Sequence, residues 1–147
     1  MKHLNWCKTA RQKQITPKGD WNVWLILAGR GWGKTRTGAQ DIAFYGLTRP
    51  NSRIAIVTPT FGDGRDTCIE GVSGLLGCID VDNIENWNRS IGELILKNGT
   101  VYRTFSAEQP DRLRGPQFHR AWCDELGSWK NAEAWDCLLY TSPSPRD

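Results

Sequence analysis

Apolar positions fall into short runs separated by longer stretches with a helical spacing. Val23-Trp24-Leu25-Ile26-Leu27 is continuous and β-rich, which predicts a strand buried on both faces, and Thr35 to Tyr45 can wind as a helix after it. Arg53 to Thr58 (Arg-Ile-Ala-Ile-Val-Thr) reads as a second buried strand closed by Pro59. Asp63 to Leu76 is expected to be helical, although Gly71, Gly74 and Gly77 weaken it. Gly92 to Leu96 and Thr100 to Phe105 flank Lys97-Asn98-Gly99, a hairpin signal. Ala121-Trp122-Cys123 is a last brief apolar run, and Trp129 to Cys137 reads as a helix that the following Ser-Pro steps end. Strands interleaved with helices imply an α/β fold with a mainly parallel sheet, helices on both faces and one inserted hairpin.

The segment between the first predicted strand and helix carries the clearest chemistry. Gly29-Arg30-Gly31-Trp32-Gly33-Lys34-Thr35 matches G-x-x-x-x-G-K-[ST], except that Ala28 stands where the first glycine belongs. Glycines let backbone N–H groups converge, and the following helix N-terminus adds partial positive charge, so the segment is suited to a polyphosphate. Lys34 is placed to reach β- and γ-phosphates and the Thr35 hydroxyl to hold Mg²⁺, which points to ATP. The competing reading is a glycine-rich turn with an exposed lysine. Downstream, Asp124-Glu125 closes the last apolar run. There Asp124 would hold the Mg²⁺ shell and Glu125 would polarise the attacking water; a solvated acid pair is the alternative. His119 and Arg120 make this strand imperfect, and His119 reads as a surface or strand-edge residue.

Composition bounds these readings. A chain of 147 residues, 39% apolar and 24% charged, has room for one domain with a real core. No apolar run is long enough to span a bilayer and the N-terminus lacks a signal-peptide core, so a cytoplasmic protein with no membrane partner is expected. The five cysteines form no C-x-x-C pair and are odd in number, so they read as free thiols, several of them buried. Net charge is +3, yet residues 1–35 hold seven Lys/Arg against the single acid Asp20. That basic segment would serve either DNA or the nucleotide phosphates. Most of the eight tryptophans should pack in the core or its rim, whereas Trp32, inside the loop, should show its ring at the surface.

Several segments together resemble a family. Ala10-Arg11 with Gln14, Pro17, Gly19-Asp20-Trp21, the phosphate loop continuing as Arg36-Thr37-Gly38-Ala39, Val57-Thr58-Pro59-Thr60, and Arg112-Leu113-Arg114-Gly115-Pro116-Gln117-Phe118 followed by Cys123-Asp124-Glu125 are similar to the N-terminal ATPase half of phage large terminases. The resemblance covers roughly residues 10–136. It implies a RecA-like P-loop NTPase fold and a Mg²⁺-dependent ATPase motor that drives double-stranded DNA into a procapsid. It also implies Lys34, Glu125 and Arg114 as catalytic residues, with Gln14, Gly29, Arg30, Gly31, Trp32, Gly33, Lys34 and Thr35 on the nucleotide and Thr35 and Asp124 on the metal. Within that set Gln14 resembles an adenine-reading glutamine or is a solvated loop residue. Arg30 resembles an arginine common in these loops or simply neutralises phosphate charge. Arg114 matches an arginine finger acting on a neighbouring subunit, or forms a structural salt bridge. The implied partners are the portal of the procapsid, the small terminase subunit and further copies in a homo-oligomeric ring, in the host cytoplasm rather than in the mature virion.

The sequence departs from that family after the acid pair. Neither the coupling strand nor the RNase H-like nuclease domain is expected here, so the sheet should lack its C-terminal strands. Residues 1–137 read as a partial ATPase domain, and residues 138–147, with two Ser-Pro steps, as a non-native or disordered tail. A helicase-like or DNA-repair P-loop ATPase fragment, a small-molecule P-loop kinase, and a non-catalytic nucleotide-binding fragment are the competing readings.

Overall fold

A computed structural model describes residues 2–29 and 31–141. Its organising element is β1 (Arg53–Thr58), where five consecutive residues after Arg53 are buried. Side chains alternate across a strand, so Ile54 and Ile56 enter one core while Ala55 and Val57 enter another. The first core is closed by Ala39, Ile42 and Ala43 of α2 (Lys34–Thr48) together with Ile69, Leu75 and Ile79. The second is closed by Leu113, Phe118 and, from α4 (Glu133–Thr141), Ala134 and Leu138. A strand with both faces covered is the expected centre of an α/β fold with helices on both sides.

Four further strands complete one sheet: β2 (Ile84–Asn88), β3 (Glu93–Leu96), β4 (Val101–Ser106) and β5 (Arg120–Cys123), in the order β2-β3-β4-β1-β5. β1 lies parallel to both β4 and β5, with Ile56 opposite Thr104 on one side and Trp122 on the other. The β3–β4 hairpin forms as its turn chemistry predicts, and Gly99 at φ +88° supplies the left-handed corner. Tyr102 of β4 donates its O–H to the Ile42 carbonyl at 2.8 Å and so fastens the sheet to α2.

Several features depart from the sequence reading. Val23 to Leu27, expected as the first buried strand, has no ladder partner, and Val23, Leu25 and Leu27 are 52%, 63% and 84% exposed. Apolar side chains in a strand are buried by flanking strands and covering layers, and no described strand lies beside this run. β5, correspondingly, pairs with β1 alone among the described residues. The expected helix from Asp63 to Leu76 is broken: Thr60 Oγ1 caps α3 (Phe61–Asp63), a π-helical turn follows over Gly64–Ile69, and a 3₁₀ turn forms at Leu75–Gly77. The glycines that weakened the prediction mark the break. β2 was not foreseen, because its polar residues conceal an edge strand. Trp87 packs on the first core and donates to Glu70 at 3.0 Å, while Arg89 pairs with Glu70 at 2.9 Å. Finally, the N-terminal helix α1 (Lys2–Thr9) gives no periodic signal yet docks on α2, with His3 stacked on Phe44 at 4.1 Å.

At the other end α4 starts later than expected and runs past Cys137, burying Leu138 to 4% exposure. Residues 142–147 of the expected tail lie outside the described residues. Cys7, Cys68, Cys78 and Cys123 are free thiols, and Cys68, Cys78 and Cys137 are buried.

Candidate functional site

The phosphate loop leads straight into α2. Its last residue, Gly33, is the N-cap at φ +88°, ψ 34°, a left-handed conformation that only glycine adopts without strain. A Cβ there would also stand 2.9 Å from Gln14 Nε2. At Gly29 and Gly31, in contrast, an added Cβ would meet nothing within 4 Å, so the loop bounds open space of the kind a phosphate chain requires. Lys34 folds back over the loop, and its Nζ donates to the Ala28 carbonyl at 2.8 Å. Thr35 follows as the second residue of α2. Arg30 lies outside the described residues. The Trp32 ring is half-buried, with the Arg11 guanidinium 5.2 Å from its centroid.

The acid pair hangs from the end of β5. Asp124 N donates to the Val57 carbonyl at 2.9 Å, which carries the parallel ladder one residue past the strand. Glu125 is exposed and adopts φ +51°, ψ 44°, a left-handed conformation uncommon outside glycine. Two groups hold Asp124 from behind: Trp129 Nε1 donates to its carbonyl at 3.1 Å, and Cys68 Sγ, from the π-helical turn, donates to Oδ2 at 3.7 Å. Burial, and then the neighbouring Glu125 charge, raise the Asp124 carboxyl above the usual carboxylate range, with the Cys68 bond and the Lys34 charge pulling the other way. Burial and the adjacent Asp124 raise the Cys68 thiol strongly, so it stays protonated and remains a donor.

Two contacts set how these parts face each other. Gly38 of α2 lies directly over the Trp122 indole of β5, where a Cβ would overlap the ring. One turn on, Asp41 forms a bidentate pair with Arg120, both contacts at 2.8 Å. As α2 advances from residue 38 to 41, β5 recedes from 122 to 120, so the two run antiparallel. At roughly 1.5 Å per helical and 3.3 Å per strand residue, the same registration puts Lys34 and Thr35 level with Asp124. The Arg120–Asp41 pair is itself a hub. Thr16 Oγ1 donates to Asp41 at 2.6 Å, and the Arg120 guanidinium lies 4.7 Å from both the Trp21 and Tyr45 ring centroids.

Gln14 is buried beside the loop rather than solvated. Its Nε2 donates to the Trp32 carbonyl at 2.8 Å, and its Oε1 accepts from Arg11 N at 2.9 Å. Arg114 is 60% exposed, pairing with Asp111 and Glu133 at 3.2 Å each and donating from Nε to Cys137 Sγ. His119 is exposed, and its Nδ1 accepts from Arg53 N at 2.9 Å. Sequence reasoning assigned no role to Arg11, Cys68, Arg120 or Trp129. Arg120 had a visible signal, a charge in a short apolar strand; Cys68 acquires its role through a contact 56 residues away and Arg11 through one 21 residues away, whereas Trp129 reaches Asp124 only five residues back.

A glycine-bounded loop at a helix N-terminus, set level with acids at the end of a parallel strand, defines an α/β protein of P-loop type. Residues 25–139 match the family model described as terminase large subunit, T4likevirus-type, N-terminal. The chain belongs to that family. Among solved structures it is similar to the large terminase ATPase domain of Thermus phage P74-26, at 22% identity and a TM-score of 0.62 over 77% of this chain and 51% of that one. A mutant form of the same domain gives 21% identity and a TM-score of 0.61 over 77% of this chain and 52% of that one. At this identity the likeness speaks for the fold, and the chain spans about half the length of those relatives. No curated protein sequence matches the chain significantly.

Proposed function

We propose that this chain binds ATP with Mg²⁺ and belongs to a motor that hydrolyses it to move double-stranded DNA into a procapsid. The observation that supports the reading is the antiparallel packing of α2 on β5, with Gly38 over Trp122 and Asp41 on Arg120, on which Lys34 and Thr35 would stand level with Asp124. Lys34 would leave the Ala28 carbonyl for the β- and γ-phosphates, and the amides of residues 29–33 would take the remaining phosphate charge. Thr35 and Asp124 offer two hard oxygen donors. That count suits Mg²⁺, which keeps several waters and shares its shell with phosphate oxygens, and when bound it would neutralise charge developing there. Glu125, exposed and in a left-handed conformation, would orient and polarise a water. Family membership supports proposing double-stranded DNA, the portal, the small subunit and further copies in a ring as partners, and the host cytoplasm as the setting; no helix among the described residues is long and apolar enough to cross a membrane. The finger role of Arg114 would require it to leave Asp111 and Glu133 for a neighbouring subunit's nucleotide.

Nucleotide titration and turnover in the whole large subunit test the reading. Lys34→Ala should abolish both binding and hydrolysis, because the phosphate charge loses its counter-ion. Glu125→Gln should keep affinity within a small factor while turnover falls by orders of magnitude, since the amide holds a water but cannot accept its proton. Undiminished hydrolysis by Lys34→Ala would sink the assignment.

A further inference from the structure

We infer that Arg11 and Gln14 form a brace that fixes the phosphate loop in its phosphate-receiving shape, with Gln14 a positioning residue that acts through the Trp32 carbonyl. This inference rests on the phosphate-loop reading above.

The brace is a closed ring of contacts. Gln14 is 7% exposed, and Arg11 N at 2.9 Å and Arg11 Nε at 3.4 Å both donate to its Oε1. Those two donors fix which way the amide faces, so Nε2 must point at the Trp32 carbonyl, where it donates at 2.8 Å. The Arg11 guanidinium donates to that same carbonyl and lies over the Trp32 ring. The Trp32–Gly33 peptide is trans, so its C=O and N–H point in opposite directions. Pinning the carbonyl toward Arg11 and Gln14 therefore aims the Gly33 N–H away from them. Gly33 is the N-cap of α2, so this one peptide sets the direction of the last loop amide before the helix. A Cβ at position 33 would stand 2.9 Å from Gln14 Nε2, so a glycine here lets the amide approach this peptide.

The same contacts argue against Gln14 as a reader of the base. Bidentate recognition of adenine uses a glutamine oxygen for the exocyclic amine and its N–H for the ring nitrogen. Here both lone pairs of Oε1 already accept from Arg11. Turning the amide toward a base would cost the Arg11 N and Nε bonds to Oε1 and the Nε2 bond to the Trp32 carbonyl, leaving the Arg11 guanidinium alone on that carbonyl.

Calorimetric titration of the chain with ATP, GTP and inorganic tripolyphosphate, each with Mg²⁺, separates the two roles, since tripolyphosphate has no base to read. With a brace, Gln14→Ala should weaken ATP and tripolyphosphate by the same factor, about tenfold, and leave the ATP-to-GTP ratio unchanged. Arg11→Ala should weaken both ligands equally too, and Arg11→Lys should recover part of that loss. These titrations are run well below each variant's melting temperature, and the Arg11 pair carries the test if Gln14→Ala does not fold. Unchanged tripolyphosphate affinity in Gln14→Ala, with the ATP preference erased, would overturn the brace in favour of base reading while leaving the phosphate loop intact. Failure of the unsubstituted chain to bind any of the three would overturn brace and phosphate loop together.

Discussion

Asp124 at the end of β5 and Lys34 at the start of α2 are held by different forces. On the acid side, β5 is laddered onto β1, whose residues Ile54, Ala55, Ile56 and Val57 are all 0% exposed. On the loop side, the run that leads into the cradle has no ladder, and Leu27 is 84% exposed. That side is fastened by polar clasps instead: Thr16 and Arg120 on Asp41, Arg120 between Trp21 and Tyr45, and Gln14 on the Trp32 carbonyl. Burial is non-directional and lost only cooperatively, whereas clasps are directional and can open one at a time. The acids are thus set by the core, whereas the loop is held in place by contacts that can be removed one at a time.

The largest test of this contrast truncates the buried side. Ile56→Ala should cost roughly 2–5 kcal/mol by denaturant unfolding, while Leu25→Ala, in the exposed run, should stay within about 0.5 kcal/mol. Equal losses would abolish the distinction. Next, Arg120→Ala leaves the Asp41 side chain, 12% exposed, with the Thr16 hydroxyl as its remaining bonded neighbour. A loss of about 2–3 kcal/mol is expected. Limited proteolysis should then cut faster between residues 17 and 27 while residues 53–58 stay protected; uniform cleavage would mean that the clasp supports the core as well.

Gly38→Ala probes the seam between the two sides. The new methyl must displace the Trp122 ring, at about 1–3 kcal/mol for overpacking, and nucleotide affinity should fall with it because α2 shifts against β5. Intact affinity at reduced stability would show that the registration tolerates the shift. The smallest effect belongs to Asp124. Its native carboxyl binds a proton more tightly than the unfolded chain does, so stability falls as pH rises from the ordinary carboxylate range through the raised one. In metal-free buffer Asp124→Asn should therefore melt a few degrees higher than the unsubstituted chain at pH 7 and at the same temperature well below that range. A variant that melts lower at pH 7 would make Asp124 a stabilising rather than a strained group.

The sequence by itself determined the elements whose stability is local or whose surroundings repeat along the chain. β1 is legible because its β-branched run suits burial on both faces, the β3–β4 hairpin because Asn98-Gly99 supplies its turn, and the start of α2 because glycines precede Lys34. The placing of Asp124 and Glu125 just past a strand was legible for the same reason. Only the tertiary structure decided that Val23–Leu27, as apolar as β1, stays unpaired, since a strand exists only where another chain segment offers its ladder. It also decided that polar β2 forms, through Trp87 and Arg89 on Glu70. Gln14 meets Trp32 across 18 residues and Cys68 meets Asp124 across 56. Such pairings depend on which segments the sheet and α2 bring side by side, and local periodicity, which records each residue's preference for backbone shape and burial, does not encode that juxtaposition.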